Sequence, residues 1–337
     1  NGSGGISTLN YINPNSHFNI LEITNSGAEG VEFKNVVIVT KELVTTDTPI
    51  LNEMNLTLSG TSLVSGGVWP YDLTILNGAL LQQDQHILGN LYVTGPLDLN
   101  GQDLTVGGDL VVSGGLLDLH AGNLIVGGKA EQSGGTIDLA SGLLTLGEGW
   151  KQTGGLLNIN GSTLEIPSDY IHQGGTLEIG GGRLTIDGDY RAQTMTVDSE
   201  GSTVYSYGRG LLKMMNAADY MLVKGSFIMD SRYGGSLSRE KYYTTYKNYY
   251  NNSLLGAGIL EIRHDFIQKS TSIDGEQFNY FFPRHNFDAF GEHRVLLSGS
   301  KKQVVSFEDA GVNGSGGIST LNYINPNSHF NILEITN

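Results

Sequence analysis

Cysteine does not occur among the 337 residues, and that one absence removes disulfides, thiolate metal sites and cysteine nucleophiles together. Proline is almost as scarce, at 7 residues, which argues against collagen-like or Pro-rich linker sequence. No apolar run approaches the ~20 residues that span a bilayer, so insertion into a membrane is not expected. Basic residues are outnumbered, 19 against 34 acids, for a formal charge of −15. A polyanion would be repelled by such a surface, so nucleic acid is a poor partner, whereas an acidic excess favours solubility at high local concentration. The motifs H-E-x-x-H, G-x-S-x-G and the Ca²⁺-binding G-G-x-G-x-D are all missing. His264, His285 and His293 show no ligand spacing, and the Gly180-Gly181-Gly182 run is followed by no helix that would make it a phosphate loop. The sequence offers no candidate catalytic or cofactor-binding residue. No signal peptide is visible at Asn1, as expected of a chain that was processed or cut from something longer.

Glycine is what the chain has in quantity: 48 residues, about twice ordinary usage. Enough Val, Ile, Leu and Tyr accompany it to build a core, so the glycines read as corners between many short strands. Their spacing supports this. The pairs Gly114-Gly115, Gly134-Gly135, Gly154-Gly155 and Gly174-Gly175 recur every 20 residues. At the same period fall Leu117-Asp118-Leu119, Ile137-Asp138-Leu139, Leu157-Asn158-Ile159 and Leu177-Glu178-Ile179. A second column carries Leu124, Leu144, Leu164 and Leu184, and a third Leu110, Ala130, Trp150, Tyr170 and Tyr190. Each period holds three apolar-polar-apolar triplets, the alternation of a strand with one buried face. Three strands and three corners in 20 residues make one triangular coil. A leucine-rich repeat has similar length but needs an internal Asn ladder and a helical or 3₁₀ back face, and no 3.6-period segment supplies one. The expected fold is all-β, a parallel β-helix (β-solenoid) of about 20 residues per coil.

The regular coils cover residues 91–210. Residues 1–90 and 211–312 read as irregular coils, the latter interrupted by a Tyr-rich insertion at about 232–256. Residues Asn313–Asn337 repeat Asn1–Asn25 letter for letter, NGSGGISTLNYINPNSHFNILEITN, so His17 and His329 are one position in two copies. The chain is therefore one 312-residue unit and the start of another, as expected of a long tandem array. At about 20 residues per coil a unit would hold roughly 12–15 coils, about 60–70 Å of shaft. Neither end shows a cap, so copies of the chain itself are the expected partners, stacked head to tail.

Two groups of residues carry what chemistry there is. Asp98, Asp118, Asp138, Glu178 and Asp198 form an acidic ladder with Asn158 among them. It reads first as a solvated column that discourages lateral association. Opportunistic Ca²⁺ binding is a second reading and a glycosidase-like carboxylate pair a third. Tyr242, Tyr243, Tyr246, Tyr249 and Tyr250 cluster in the insertion. They would pack on the shaft, make an inter-subunit contact, or stack on a surface glycan.

Triplet coils with Gly-Gly corners, and the stretch HRVLLSGSKKQVVSF continuing into SHFNILEITNS, resemble the right-handed β-helices of filamentous-haemagglutinin-like adhesins and other giant bacterial surface proteins. The resemblance implies an extracellular or cell-surface filament or stalk with no catalytic residues. An adhesin acting through the Tyr-rich insertion is the alternative, and a polysaccharide-cleaving β-helix enzyme a more distant one.

Overall fold

The computed structural model describes residues 72–231, 254–269, 271, 286–308 and 328–336. It also describes the strands Ser7–Leu9, Phe18–Ile23, Val31–Phe33, Val37–Thr45, Leu56–Leu58, Ser62–Ser65 and Val68–Trp69. Among them there is no α-helix; the fold is all-β, and nearly every pairing is parallel. The chain divides into two compact units, Asn1–Gly149 with Ser162–Leu164, and Trp150–Gly161 with Glu165–Asn337.

In the first unit three parallel ladders advance together. One runs through Leu73, Leu91, Leu110 and Ala130. Another runs through Ala79, Leu97, Leu117 and Ile137, and the third through Gln85, Leu104, Leu124 and Leu144. Paired residues sit 18 to 20 positions apart, which is the sequence period made physical. Each ladder puts like residues on like, and the strands Leu73–Ile75, Leu91–Val93, Leu104–Val106 and Leu110–Val112 all bury their first and third residues. At about 1.5–3 kcal/mol for each fully buried aliphatic side chain, these columns supply most of the drive for stacking. Long parallel sheets of this kind are compatible with a β-helix.

The corners explain the composition. Gly122 donates to the Leu119 carbonyl at 2.7 Å, Gln102 to Leu99 at 2.8 Å, and Gly142 to Leu139 at 2.5 Å. Between them lie residue pairs with positive φ, such as Asn100 (52°) with Gly101 (75°) and His120 (47°) with Ala121 (66°). Left-handed conformation at both central residues is a type I′ turn. At the other corner, Gly115 has φ 66°, and a Cβ there would lie 2.2 Å from the Gly95 carbonyl carbon in the coil before. Here the backbones approach so closely that only glycine fits.

The second unit begins with the same period and then leaves it. Trp150, Tyr170 and Tyr190 pair at intervals of 20, but Tyr190 pairs with Phe227, Phe227 with Phe266 and Phe266 with Val305, at 37 to 39. The cause of the first lengthening is local. Tyr190–Val197 leaves the ladder and folds antiparallel against Thr203–Tyr207, a hairpin that projects between two layers. The ladder then resumes, as does the one carrying Leu184, Met221, Leu260, Val295 and Leu333. Leu255 is fully buried and bridges Met214 on one side and Ala289 on the other, so the stack has re-formed by that residue. Aromatic rings form the core of this unit. Tyr190 stacks on Phe227 at 4.9 Å, Phe227 on Phe266 at 5.6 Å, and Phe266 meets Phe307 at 5.2 Å.

Candidate functional sites: the acidic ladder, the buried polar column and the strand edges

The acidic ladder exists in part. Asp98, Asp118 and Asp138 are in register on adjacent strands. Their carboxylates have a local task that sequence reading missed. Asp98 Oδ1 accepts the Asn100 amide at 2.7 Å, Asp118 Oδ1 that of His120 at 3.0 Å, and Asp138 Oδ1 that of Ala140 at 3.1 Å. Each acid thus caps the first left-handed residue of its corner, where a non-glycine residue carries about 1–2 kcal/mol of strain. Glu178 differs: it stacks on Lys213 and takes its ammonium at 2.6 Å, a charge pair on a partly exposed face. Asp198 is not in the ladder. It lies at the turn of the antiparallel hairpin, where its Oδ1 accepts the amides of Glu200 at 2.9 Å and Ser202 at 2.8 Å. The 20-residue spacing placed it with the others, but the chain has left the stack before reaching it. Among the described residues, no group of three or more His, Asp or Glu is placed to hold a metal ion. Tyr242, Tyr243, Tyr246, Tyr249 and Tyr250 lie outside the described residues.

A second Asx ladder, unforeseen, stitches coil to coil. In the first unit, Asp72 Oδ1 accepts the amide of Asn90 at 2.7 Å, Asn90 Oδ1 that of Asp109 at 2.7 Å, and Asp109 Oδ1 that of Lys129 at 3.0 Å. In the second unit, Asp169 takes Asp189 at 2.8 Å, Asp189 takes Ser226 at 2.7 Å, and Asp265 takes Val304 at 2.8 Å. Each side chain satisfies the amide of the residue stacked on it, so backbone donors at the corner are not left to water.

The core also holds a polar column. Gln132, Gln152 and His172 are buried at 20-residue intervals, each two residues before a glycine pair. In the second unit its bonds form a chain. Tyr170 Oη donates to Gln152 Oε1 at 2.5 Å, and Gln152 Nε2 donates to the carbonyls of Thr176 at 3.1 Å and Gly155 at 3.3 Å. His172 Nε2 lies 3.3 Å from the Gly175 carbonyl, which can only accept, so the ring proton sits on Nε2. Nδ1 is then free to accept the Tyr190 hydroxyl at 2.7 Å. Burial pushes the His172 pKa down to about 4 and both tyrosines upward, holding the whole column neutral. His293 is also buried, its pKa likewise lowered to about 4, and neither ring nitrogen has a hydrogen-bond partner. A neutral, satisfied column far from solvent orients rings and fixes register; it offers no nucleophile to a substrate.

The strand edges are the remaining candidate. Phe18–Ile23 and Ile332–Ile335 come from the two identical copies, yet they are paired differently. The first pairs with the later strand Val37–Thr45, matching Leu21 to Leu43. The second pairs with the earlier strand Arg294–Leu297, matching Leu333 to Val295 and Ile335 to Leu297. Their environments diverge accordingly: Leu21 and Ile23 are 8% and 5% exposed, Leu333 and Ile335 43% and 62%.

No protein-family model, curated protein or solved structure matches this chain.

Proposed function

We propose that this chain is a structural repeat unit of an extracellular filament or cell-surface stalk, a right-handed parallel β-helix that continues from copy to copy. In this reading the three strand positions of each period close into a triangular coil. The resemblance to filamentous-haemagglutinin-like proteins accounts for the setting, and the chemistry is that of a shaft rather than an enzyme. The observation that carries it is the 25-residue identity between Asn1–Asn25 and Asn313–Asn337, joined to strands that stack by repetition without closing on themselves. An array that grows by adding identical layers has no natural length, so many units make a rod. Support also comes from the acids and amides, which are spent on corners and on coil-to-coil stitching rather than gathered into a cleft.

The test is electron microscopy of native material with its intact mass. Rods with an axial repeat of about 60 Å, from about 12 coils at ~4.8 Å each, are expected. Particles of a single 36.2 kDa chain would end the proposal.

A further inference from the structure

The two copies of the segment use opposite edges, and this follows from chirality. In a strand, an L-residue's side-chain direction and the edge to which its amide and carbonyl point are locked together, and both reverse at the next residue. In this chain buried residues point forward, to the strand later in sequence. Leu73 donates to Asn90, Leu91 to Asp109, Phe227 to Asp265 and Phe266 to Val304. Their outward neighbours point backward: Thr94 donates to Ile75, Ser298 to Ile262, and Thr336 to Leu297 at 3.0 Å. Leu21 and Ile23 therefore direct their amides toward Val37–Thr45. Leu333 and Ile335, alternating with Thr336, direct theirs away from Arg294–Leu297. In the first copy the forward edge is occupied, and in the second the backward edge.

Resting on the filament reading, we infer that units join by strand exchange. The tail segment Asn313–Asn337 of one copy takes the place of Asn1–Asn25 on the Val37–Thr45 edge of the next. One copy of the sequence then serves both partners at once: Arg294–Leu297 of its own unit behind it and Val37–Thr45 of the following unit in front. The junction register is fixed by the pairs already seen. Ile332 comes opposite Glu42, Leu333 opposite Leu43 and Glu334 opposite Val44, as Ile20, Leu21 and Glu22 are now. Leu333 and Ile335 then acquire the cover that Leu21 and Ile23 have. Glu334 keeps the Arg294 guanidinium it already holds at 2.7 Å, because that contact is on the other edge. The occupant is identified by sequence: the displaced and the displacing segments are the same residues.

The absence of native cysteine makes the test clean. Neighbouring parallel strands hold Cα atoms at a separation that a disulfide spans. A chain carrying Ile20→Cys and Glu42→Cys should close an intrachain disulfide, which checks the register in place. An Ile332→Cys chain is then mixed with a Glu42→Cys chain and oxidised mildly. The expected product is the mixed 332–42 disulfide, in excess of both homodimers and of the distribution that random collision gives. It should be lost when synthetic peptide of sequence Asn1–Asn25 is added in excess. Homodimers only, a statistical mixture, a peptide-insensitive product, or failure of the 20–42 disulfide would each overturn the exchange. Rods in native material without the 332–42 link would sink exchange and leave the filament reading standing. The link formed by a protein whose native state is a single chain would do the reverse.

Discussion

His172 gives the fold a calculable dependence on pH. Its ring is fully buried, accepts from Tyr190 and donates to Gly175, and burial lowers its pKa to about 4 from 6.5. The unfolded chain therefore binds a proton that the folded chain refuses throughout the interval between those values. Stability is full above pH 6.5 and declines as pH falls toward 4. Protonation of the unfolded histidine lowers stability by about 2 kcal/mol between pH 7 and pH 5 from this one group, and by about 3 kcal/mol by pH 4. The informative substitution is His172→Gln, because glutamine occupies the stacked position one coil earlier, at Gln152. The introduced amide would keep a donor and an acceptor in the column while removing the titration. The assay is urea unfolding followed by tryptophan fluorescence at pH 7 and pH 5 for both chains. The parent should lose about 2 kcal/mol more than the variant over that range. Equal losses in the two would refute the claim that His172 is buried and neutral in the fold.

Other expectations follow from the corners. Gly115→Ala must push a methyl group into the Gly95 backbone at 2.2 Å, so about 3 kcal/mol or more should be lost, measured by the thermal midpoint. Gly161→Ala has the same kind of positive φ, 78°, but meets nothing within 4 Å, and should cost only about 1 kcal/mol. If the two behave alike, close coil-to-coil approach is not what glycine serves at position 115. Asp118→Ala removes the acceptor of the His120 amide and should cost about 1 kcal/mol, whereas Asp118→Asn, which keeps an oxygen there, should cost less in the same melt.

The regular stretch was legible because one constraint dominates it. When each strand must lie on the one 20 residues before, inward apolar positions recur at that interval, and Leu97, Leu117 and Ile137 show it directly. Legibility failed where the interval changed. Thr196, Val197 and Asp198 keep the alternation of a coil strand, and nothing in their composition announces that Gln193–Val197 pairs antiparallel with Thr203–Tyr207. The acidic ladder was seen but read as a surface feature, since the spacing of Asp118 says nothing of the amide two residues on. Gln132, Gln152 and His172 were visible at a constant interval, and their place just ahead of glycine pairs disguised them as corner residues. A polar side chain inside an apolar column becomes intelligible only when the tyrosine hydroxyls and carbonyls around it are located. The doubled segment was the plainest signal in the chain, and its opposite edge usage needed the hydrogen-bond directions.

Fibre diffraction from aligned native material bears most directly on the stacked-strand account. Strands lying across the long axis, each paired with the layer before, require a meridional reflection near ~4.8 Å. An isotropic pattern from separate globules, or the same spacing turned onto the equator, would contradict it.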